Sequence, residues 1–398
     1  MSTSALATET EKSSERRALI VAGGAHALHD GYTDLVYVML PVWQAEFGIG
    51  YAALGLLRTV FSGALAGFQI PSSMIAEKFG APLVLALGTA LAGIGYCLAG
   101  LSSGLPMLVG ALFIGGLGAS TQHPLASSIV ARAFAGARSL KALGTYNFSG
   151  DIGKMTVPAL ASLLLVVLPW REALMLLGAF GVIAAIIILL ATPRLGAEAA
   201  AKKAEDHHAH GRVRTYAFPL LLSVGVIDSA TRMAFLTFLP FVLTAKGASL
   251  PTVGLALTLV FAGGAAGKLV CAFIGARIGT VATVWLTETV TAIGIVALLP
   301  LSLDASLVLL PVVGIALNGT SSVLYGSVPD LVAPEKRTRA FGIFYTGTIG
   351  SGAISPAVYG LLGDAYGVPT ALVVIAAVVL LTLPITLVLR PALPARPV

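Results

Sequence analysis

Charged side chains stand where a sequence this apolar should carry none. Asp30, Asp34, Arg58, Asp151, Lys154, Asp228, Arg232, Lys268 and Glu288 all fall inside apolar stretches of helix-spanning length. A charge at the centre of a bilayer costs about 3 kcal/mol on insertion scales, so such groups face a protein interior or a watery cavity and find partners there. Their spacing sorts them into stripes. His26, Asp30, Thr33, Asp34 and Tyr37 recur every three or four residues, which on a helix is one face. Asp228, Arg232 and Phe235 form a second stripe, and Tyr146, Asn147, Gly150, Asp151 and Lys154 a third. A carboxylate or imidazole beside a cation can load and unload a proton as its surroundings change. Arg58, Arg232 and Lys154 have the chemistry to clamp a small anion. There is no nucleophile elbow, phosphate-binding Walker loop, zinc-ligand spacing or dinucleotide loop in a strand–helix setting, so neither an enzyme nor a resident cofactor or metal is expected.

Depth along each helix, at about 1.5 Å of rise per residue, suggests which groups meet. Asp34 and Arg58 share a depth and are expected to pair. His26 and His123 share another. Lys268 and Glu288 share a third and read as a structural pair. Asp30, Asp151 and Asp228 all lie near mid-helix. Asp30 is the first candidate for a proton carrier, because His26 and His29 flank it and Asp228 repeats it in the second half; Asp34 is the second. His26, His29 and His123 are candidate relays. The candidate ligand-binding set is Arg58, Arg232, Tyr37, His123, Tyr146, Asn147, Asp151 and Lys154. Asp151 and Lys154 could instead neutralise each other as an i, i+3 pair.

The elements that must position these groups follow from composition. The chain has 398 residues, of which 57% are hydrophobic and 11% charged, whereas a soluble domain carries about 25% charged residues. Twelve apolar segments are expected to cross the membrane: 18–43, 52–76, 82–101, 105–131, 139–167, 171–191, 215–244, 252–275, 281–300, 305–332, 339–362 and 368–389. This is an all-α membrane protein of two six-helix bundles, 18–191 and 215–390, with cytoplasmic tails at 1–17 and 391–398. The polar 1–17 stretch lacks the pattern of a signal peptide. Between the bundles, 192–214 reads as a solvated linker; its His207, His208 and His210 are expected to be exposed rather than to bind metal. Lys and Arg concentrate at 138–141, 202–203 and 336–339, which places the linker and both termini in the cytoplasm. The net charge of +6 is thus a topology signal, with no basic, aromatic-rich patch for nucleic acid. Cys97 and Cys271 read as buried free thiols.

The bundles repeat each other. Asp30-Gly-Tyr-Thr-Asp34 answers Asp228-Ser-Ala-Thr-Arg232, each followed by a Leu-Pro ending at Pro41 or Pro240, and Phe61 to Gly67 answers Phe261 to Gly267. Such duplication is the mark of transporters that bind their substrate between the repeats.

Twelve helices split six and six by a polar loop resemble the major facilitator superfamily. That superfamily's Gly-x-Leu-Ala-Asp-Arg-x-Gly loop is matched loosely by S-M-I-A-E-K-F-G, Ser73 to Gly80, and by A-F-I-G-A-R-I-G, Ala272 to Gly279. The resemblance gives Glu77, Lys78, Gly80 and Arg277 the role of gating loops. The stretch G-G-L-G-A-S-T-Q-H-P-L-A-S-S-I-V-A-R, Gly115 to Arg132, together with His26 and Asp30, resembles the fosmidomycin-resistance branch. The chain departs from that branch at Leu125 and at Asp151 and Lys154. It also has Leu112 where many drug antiporters of the superfamily keep an Arg. The resemblance implies a monomeric, proton-coupled exporter of a small molecule in a bacterial inner membrane. The cargo would be a small polar anion or an amphipathic drug. The alternatives are an uptake symporter for an organic anion and a non-transporting sensor or scaffold.

Reporter fusions test the topology. A fusion after Lys246 or near Asp304 should report an external location, and one in the 192–214 linker an internal location; an external linker overturns the twelve-helix arrangement.

Overall fold

The computed structural model describes residues 3–134, 137–193, 216–333 and 337–393. Every regular element among them is a helix. In order these are α1 (Thr3–Phe47), α2 (Tyr51–Gly67), α3 (Gln69–Phe79), α4 (Ala81–Gly100), α5 (Leu105–Ala119), α6 (Gln122–Ala133), α7 (Ala137–Val167) and α8 (Trp170–Ala191). After the linker come α9 (Ala217–Ala245), α10 (Leu250–Ile278), α11 (Thr280–Ala297), α12 (Leu303–Ser327), α13 (Arg337–Tyr366), α14 (Val368–Val379) and α15 (Thr382–Leu389).

Among the described residues, nine helices are long and apolar enough to cross a membrane, and α2 with α3, bent by 41°, make a tenth. Of the expected spans, α1 and α13 are long enough, but polar residues lower their hydropathy; in α1 these include His26, His29, Asp30 and Asp34. Three expected spans are broken: α2 from α3 at Phe68, α5 from α6 at Ser120 and Thr121, and α14 from α15 near Leu380. The first helix starts at Thr3, so the stretch expected as a tail continues it. His207, His208, His210 and nearly all of the linker lie outside the described residues.

The chain divides into two compact units, but not at the linker alone. One unit holds residues up to Val36 and those from Val60 to the linker; the other holds Tyr37–Thr59 and everything after the linker. The reason is how α2 begins. Its first backbone N–H groups have no partner within the helix. The Asp364 carboxylate of α13 accepts from them, from Tyr51 N at 2.6 Å and Ala52 N at 3.0 Å. An anion at a helix N-terminus is favoured by the helix dipole as well. Further along, Thr59 Oγ1 donates to the Ala353 carbonyl at 2.6 Å. The helices meet closely because a side chain is missing at Gly55, where a Cβ would lie 2.2 Å from the Pro356 oxygen.

Each unit has its own core. In the first, Ala22, Ala25, Leu85, Ala126, Ile129 and Tyr146 pack together; in the second, Leu221, Val224, Val284, Leu324 and Phe344 do so. Large apolar side chains also point outward, Val167, Leu190 and Val308 among them, as surfaces in contact with lipid require. The repeat is visible in the backbone. Gly80, between α3 and α4, has φ 89°, and Gly279, between α10 and α11, has φ 91°. Only glycine adopts this region at little cost, which fixes the last residue of both loop motifs.

Small residues set the crossing of α1 and α7. A Cβ on Gly153 would lie 1.8 Å from the Ala27 carbonyl oxygen, whereas one on Gly144 meets nothing within 4 Å. Gly153→Ala should therefore destabilise the protein by about 1–3 kcal/mol, read as a lower melting temperature in detergent. Gly144→Ala should leave it unchanged or raise it.

Candidate functional site

The polar core of the first unit is built where α1, α6 and α7 converge. Gly150 of α7 lets the helix approach α1: a Cβ there would sit 2.6 Å from His26 Nε2 and 2.7 Å from Asp30 Oδ2. One turn on, Lys154 Nζ comes to 3.3 Å from Asp30 Oδ2. His26, one turn before Asp30, places Nε2 at 3.3 Å from the same oxygen. His123, at the start of α6, places Nε2 at 3.7 Å from Asp30 Oδ1. Three basic side chains thus surround one carboxyl.

The tautomer of His26 follows from its neighbours. Its Nδ1 lies 2.9 Å from the Tyr146 carbonyl oxygen, which can only accept, so Nδ1 carries hydrogen. Nε2 then meets Asp30 with a lone pair unless a proton lies between them. The His26 ring is held in place by stacking on Tyr146 at 4.3 Å and by an edge contact with His123 at 5.3 Å. Gln122 Nε2 donates to the Tyr146 hydroxyl at 2.8 Å. Asp30 and His26 are buried, at 7% and 5% exposure, while the side chains of His123 and Lys154 are 44% and 31% exposed. The cluster therefore has a buried carboxyl–imidazole pair flanked by two partly exposed basic groups.

His29 faces elsewhere. The Thr89 hydroxyl gives its hydrogen to the Leu85 carbonyl, so it accepts from His29 Nε2 at 2.8 Å. That bond turns His29 toward α4. Of the remaining candidates on α7, Asp151 is buried and Asn147 is exposed.

In the second unit, Arg58 is 2% exposed. Its Nη2 donates to the Tyr37 hydroxyl at 3.2 Å, and its guanidinium lies 4.7 Å over the Tyr37 ring. Tyr37 in turn donates to Met233 Sδ at 3.2 Å. Asp34 is buried at the end of the first unit's part of α1. Asp228 is buried on α9 and Glu288 on α11, and Arg232 is half-buried one turn past Asp228. Glu77, Lys78 and Arg277 are exposed at the ends of α3 and α10.

Sequence reasoning missed Gln122, although a glutamine in an apolar run is a visible signal. As for metals, His26, Asp30 and His123 offer ligand atoms within 4.8 Å of one another. The Lys154 ammonium beside Asp30 opposes a second cation there.

The family model described as Major Facilitator Superfamily matches residues 23–224 and again 221–398, once for each repeat. The chain is 24% identical over 350 residues to the fosmidomycin resistance protein of Escherichia coli, covering 85% of this chain and 84% of that one. It is 25% identical over 368 residues to the probable sulfoacetate transporter SauU of Cupriavidus necator, covering 84% and 85%. An MFS-type efflux pump of Mycolicibacterium smegmatis is 28% identical over 261 residues, covering 62% and 61%. Among solved structures, a bacterial homologue of the human lysosomal transporter Spinster superposes with a TM-score of 0.77 at 14% identity, covering 94% and 96%. The nucleoside transporter NupG superposes with a TM-score of 0.77 at 15% identity, covering 94% and 99%.

The ion pair between Asp30 and Lys154 can be measured by a double-mutant cycle. Asp30→Asn and Lys154→Gln should each lower thermal stability, and the double variant should be less destabilised than their sum. The interaction energy should be about 1–3 kcal/mol; strict additivity would show that the two charges do not act on each other.

Proposed function

The chain belongs to the Major Facilitator Superfamily, and we propose that it is a proton-coupled secondary active transporter that exports a small polar anion, with Asp30 as the proton carrier. Transport of a small molecule across a membrane follows from the family and the fold; it is not an enzyme. The observation that carries the finer reading is the contact of the buried Asp30 carboxyl with His26, His123 and Lys154. A carboxyl and an imidazole sharing one proton, reached through partly exposed groups, make a device that can be loaded from one side and emptied to the other. Resistance and efflux functions in the names of two relatives support export. The sulfonate-bearing cargo in the name of a third supports an anion.

Under this reading Lys154, Arg58 and Arg232 supply positive charge to the cargo. His123, Tyr37, Tyr146, Asn147 and Asp151 complete the candidate binding set. Asp34 and Asp228 are further proton-carrying candidates, and Glu77, Lys78, Gly80 and Arg277 form the gating loops. The protein acts as a monomer in a bacterial inner membrane with cytoplasmic termini. One observation favours the second reading, uptake. Lys154 already pairs with Asp30, so protonating Asp30 turns the ammonium toward an incoming anion, and proton and anion then bind together.

Counterflow in proteoliposomes, with sulfoacetate and fosmidomycin as anionic probes and a cationic drug as control, tests both substrate and coupling. Asp30→Asn should still exchange the transported probe. It should fail to accumulate that probe under a pH gradient, and its exchange should lose the pH dependence expected between about pH 5 and 8. Unchanged pH-driven accumulation in Asp30→Asn removes Asp30 as the carrier. The sign of the gradient that drives accumulation separates export from uptake.

A further inference from the structure

Two of the three basic groups around Asp30 are imidazoles, and imidazoles can do more than pair with a carboxylate. His26 and Asp30 lie one turn apart on α1, on one helix face. His123 enters from α6. Pro124 has no N–H for the Ser120 carbonyl four residues back, and the helix is interrupted there, which sets His123 at the start of a new segment. The rings of His26 and His123 stand at 86° with centroids 5.3 Å apart. Both Nε2 atoms turn to one carboxyl, His26 at 3.3 Å from Oδ2 and His123 at 3.7 Å from Oδ1.

Those separations suit a metal ion. Zinc bonds of about 2.0–2.1 Å at tetrahedral angles put ligand atoms about 3.3 Å apart. One atom from each of the three side chains lies within 4.8 Å of the others, and His123, 44% exposed, has room to turn inward. The outer shell is in place as well. A metal-bound imidazole gives its second ring hydrogen to a carbonyl, carboxylate or water. His26 Nδ1 gives its hydrogen to the Tyr146 carbonyl at 2.9 Å, which leaves the Nε2 lone pair facing Asp30. The Tyr146 ring stacks on His26 at 4.3 Å, and Gln122 holds its hydroxyl at 2.8 Å. Gly150 keeps space open beside two of the ligand atoms: a Cβ there would lie 2.6 Å from His26 Nε2 and 2.7 Å from Asp30 Oδ2. Two imidazoles and one carboxylate suit zinc and its neighbours among the first-row divalent ions, whereas magnesium and calcium take oxygen ligands.

We propose that His26, Asp30 and His123 form a binding site for a divalent transition-metal ion, zinc above all, which Lys154 guards. The three side chains leave the fourth tetrahedral position open. Lys154, 3.3 Å from Asp30 Oδ2, places its own positive charge there, and the metal enters in exchange for it. A partly exposed ammonium on a flexible four-carbon stem can make that exchange. The sequence shows no zinc spacing because the ligands come from two helices far apart along the chain. The site stands independently of the direction and coupling of transport.

Calorimetric titration of the purified full-length protein with zinc chloride tests the site. His207, His208 and His210 of the linker are first replaced by alanine, and no polyhistidine tag is used, so that neither takes up the probe. One zinc ion per chain is the expected result. In that background His123→Gln should weaken binding by about 10–100-fold, the loss that an outer-shell partner alone produces. Lys154→Met should tighten it by at least about tenfold, because a like charge a few ångströms from the ion is gone. Magnesium at the same concentration should not compete. Melting temperature gives a second readout, since a ligand that binds only the folded chain raises it: zinc should raise it in the linker variant and in Lys154→Met. No zinc binding in the linker variant overturns the proposal, as does competition by magnesium. An affinity unchanged by His123→Gln or by Lys154→Met overturns it too, and either variant decides by itself should the other fail to fold.

Discussion

A charge removed from water must find a partner, and this requirement organises the whole molecule. Lipid surrounds most of the chain, so each acid or base within a span is driven inward and held by another polar group. Asp30 draws Lys154, His26 and His123 around it. Arg58 lies over the Tyr37 ring and donates to its hydroxyl. Asp228 and Glu288 are buried within the second unit. These contacts need helices to approach closely, and the glycines allow it: Gly150 and Gly153 bring α7 against α1 at the height of Asp30. Packing and chemistry are thus one design. The small residues that let helices pack in lipid are also what brings Lys154 within reach of its carboxylate.

The two units solve the same problem with different chemistry. In the first, a buried carboxyl is surrounded by bases, two of which, His123 and Lys154, are partly exposed. In the second, the repeated aspartate, Asp228, is buried with no basic partner at salt-bridge distance among the described residues, and Glu288 is buried on α11 of the same unit. Duplication supplied one scaffold with an aspartate at one position in each copy. The surroundings of that position then diverged, with three basic groups gathering about Asp30. The division of the chain follows a related logic. Asp364 satisfies the exposed N–H groups of α2, so residues 37–59 are counted with the second unit even though they precede the linker by more than a hundred residues in sequence.

Much of this was legible in the residues. Apolar length, the bias of Lys and Arg, and the repeated Asp-Pro spacing gave the membrane class, the helical fold and the duplication, because lipid imposes them on composition and period alone. The family model matches each half, as that repeat predicts. The stripe on α1 was legible for the same reason: His26 and Asp30 lie one turn apart whatever the rest of the chain does. The meeting of His26 and His123 followed from equal depth, since helices that span one bilayer share a ruler.

Partners on different helices were not legible beyond depth, because depth fixes height and leaves rotation open. Lys154 was placed with Asp151 or with the cargo, and only the close crossing at Gly150 shows that it reaches Asp30. His29 looked equivalent to His26, yet the rotation of α1 turns it to Thr89. The sequence by itself determined which charges had to be buried, since that depends on the solvent. The tertiary structure decided which charge answers which, since that depends on how far two helices rotate and how closely their backbones approach.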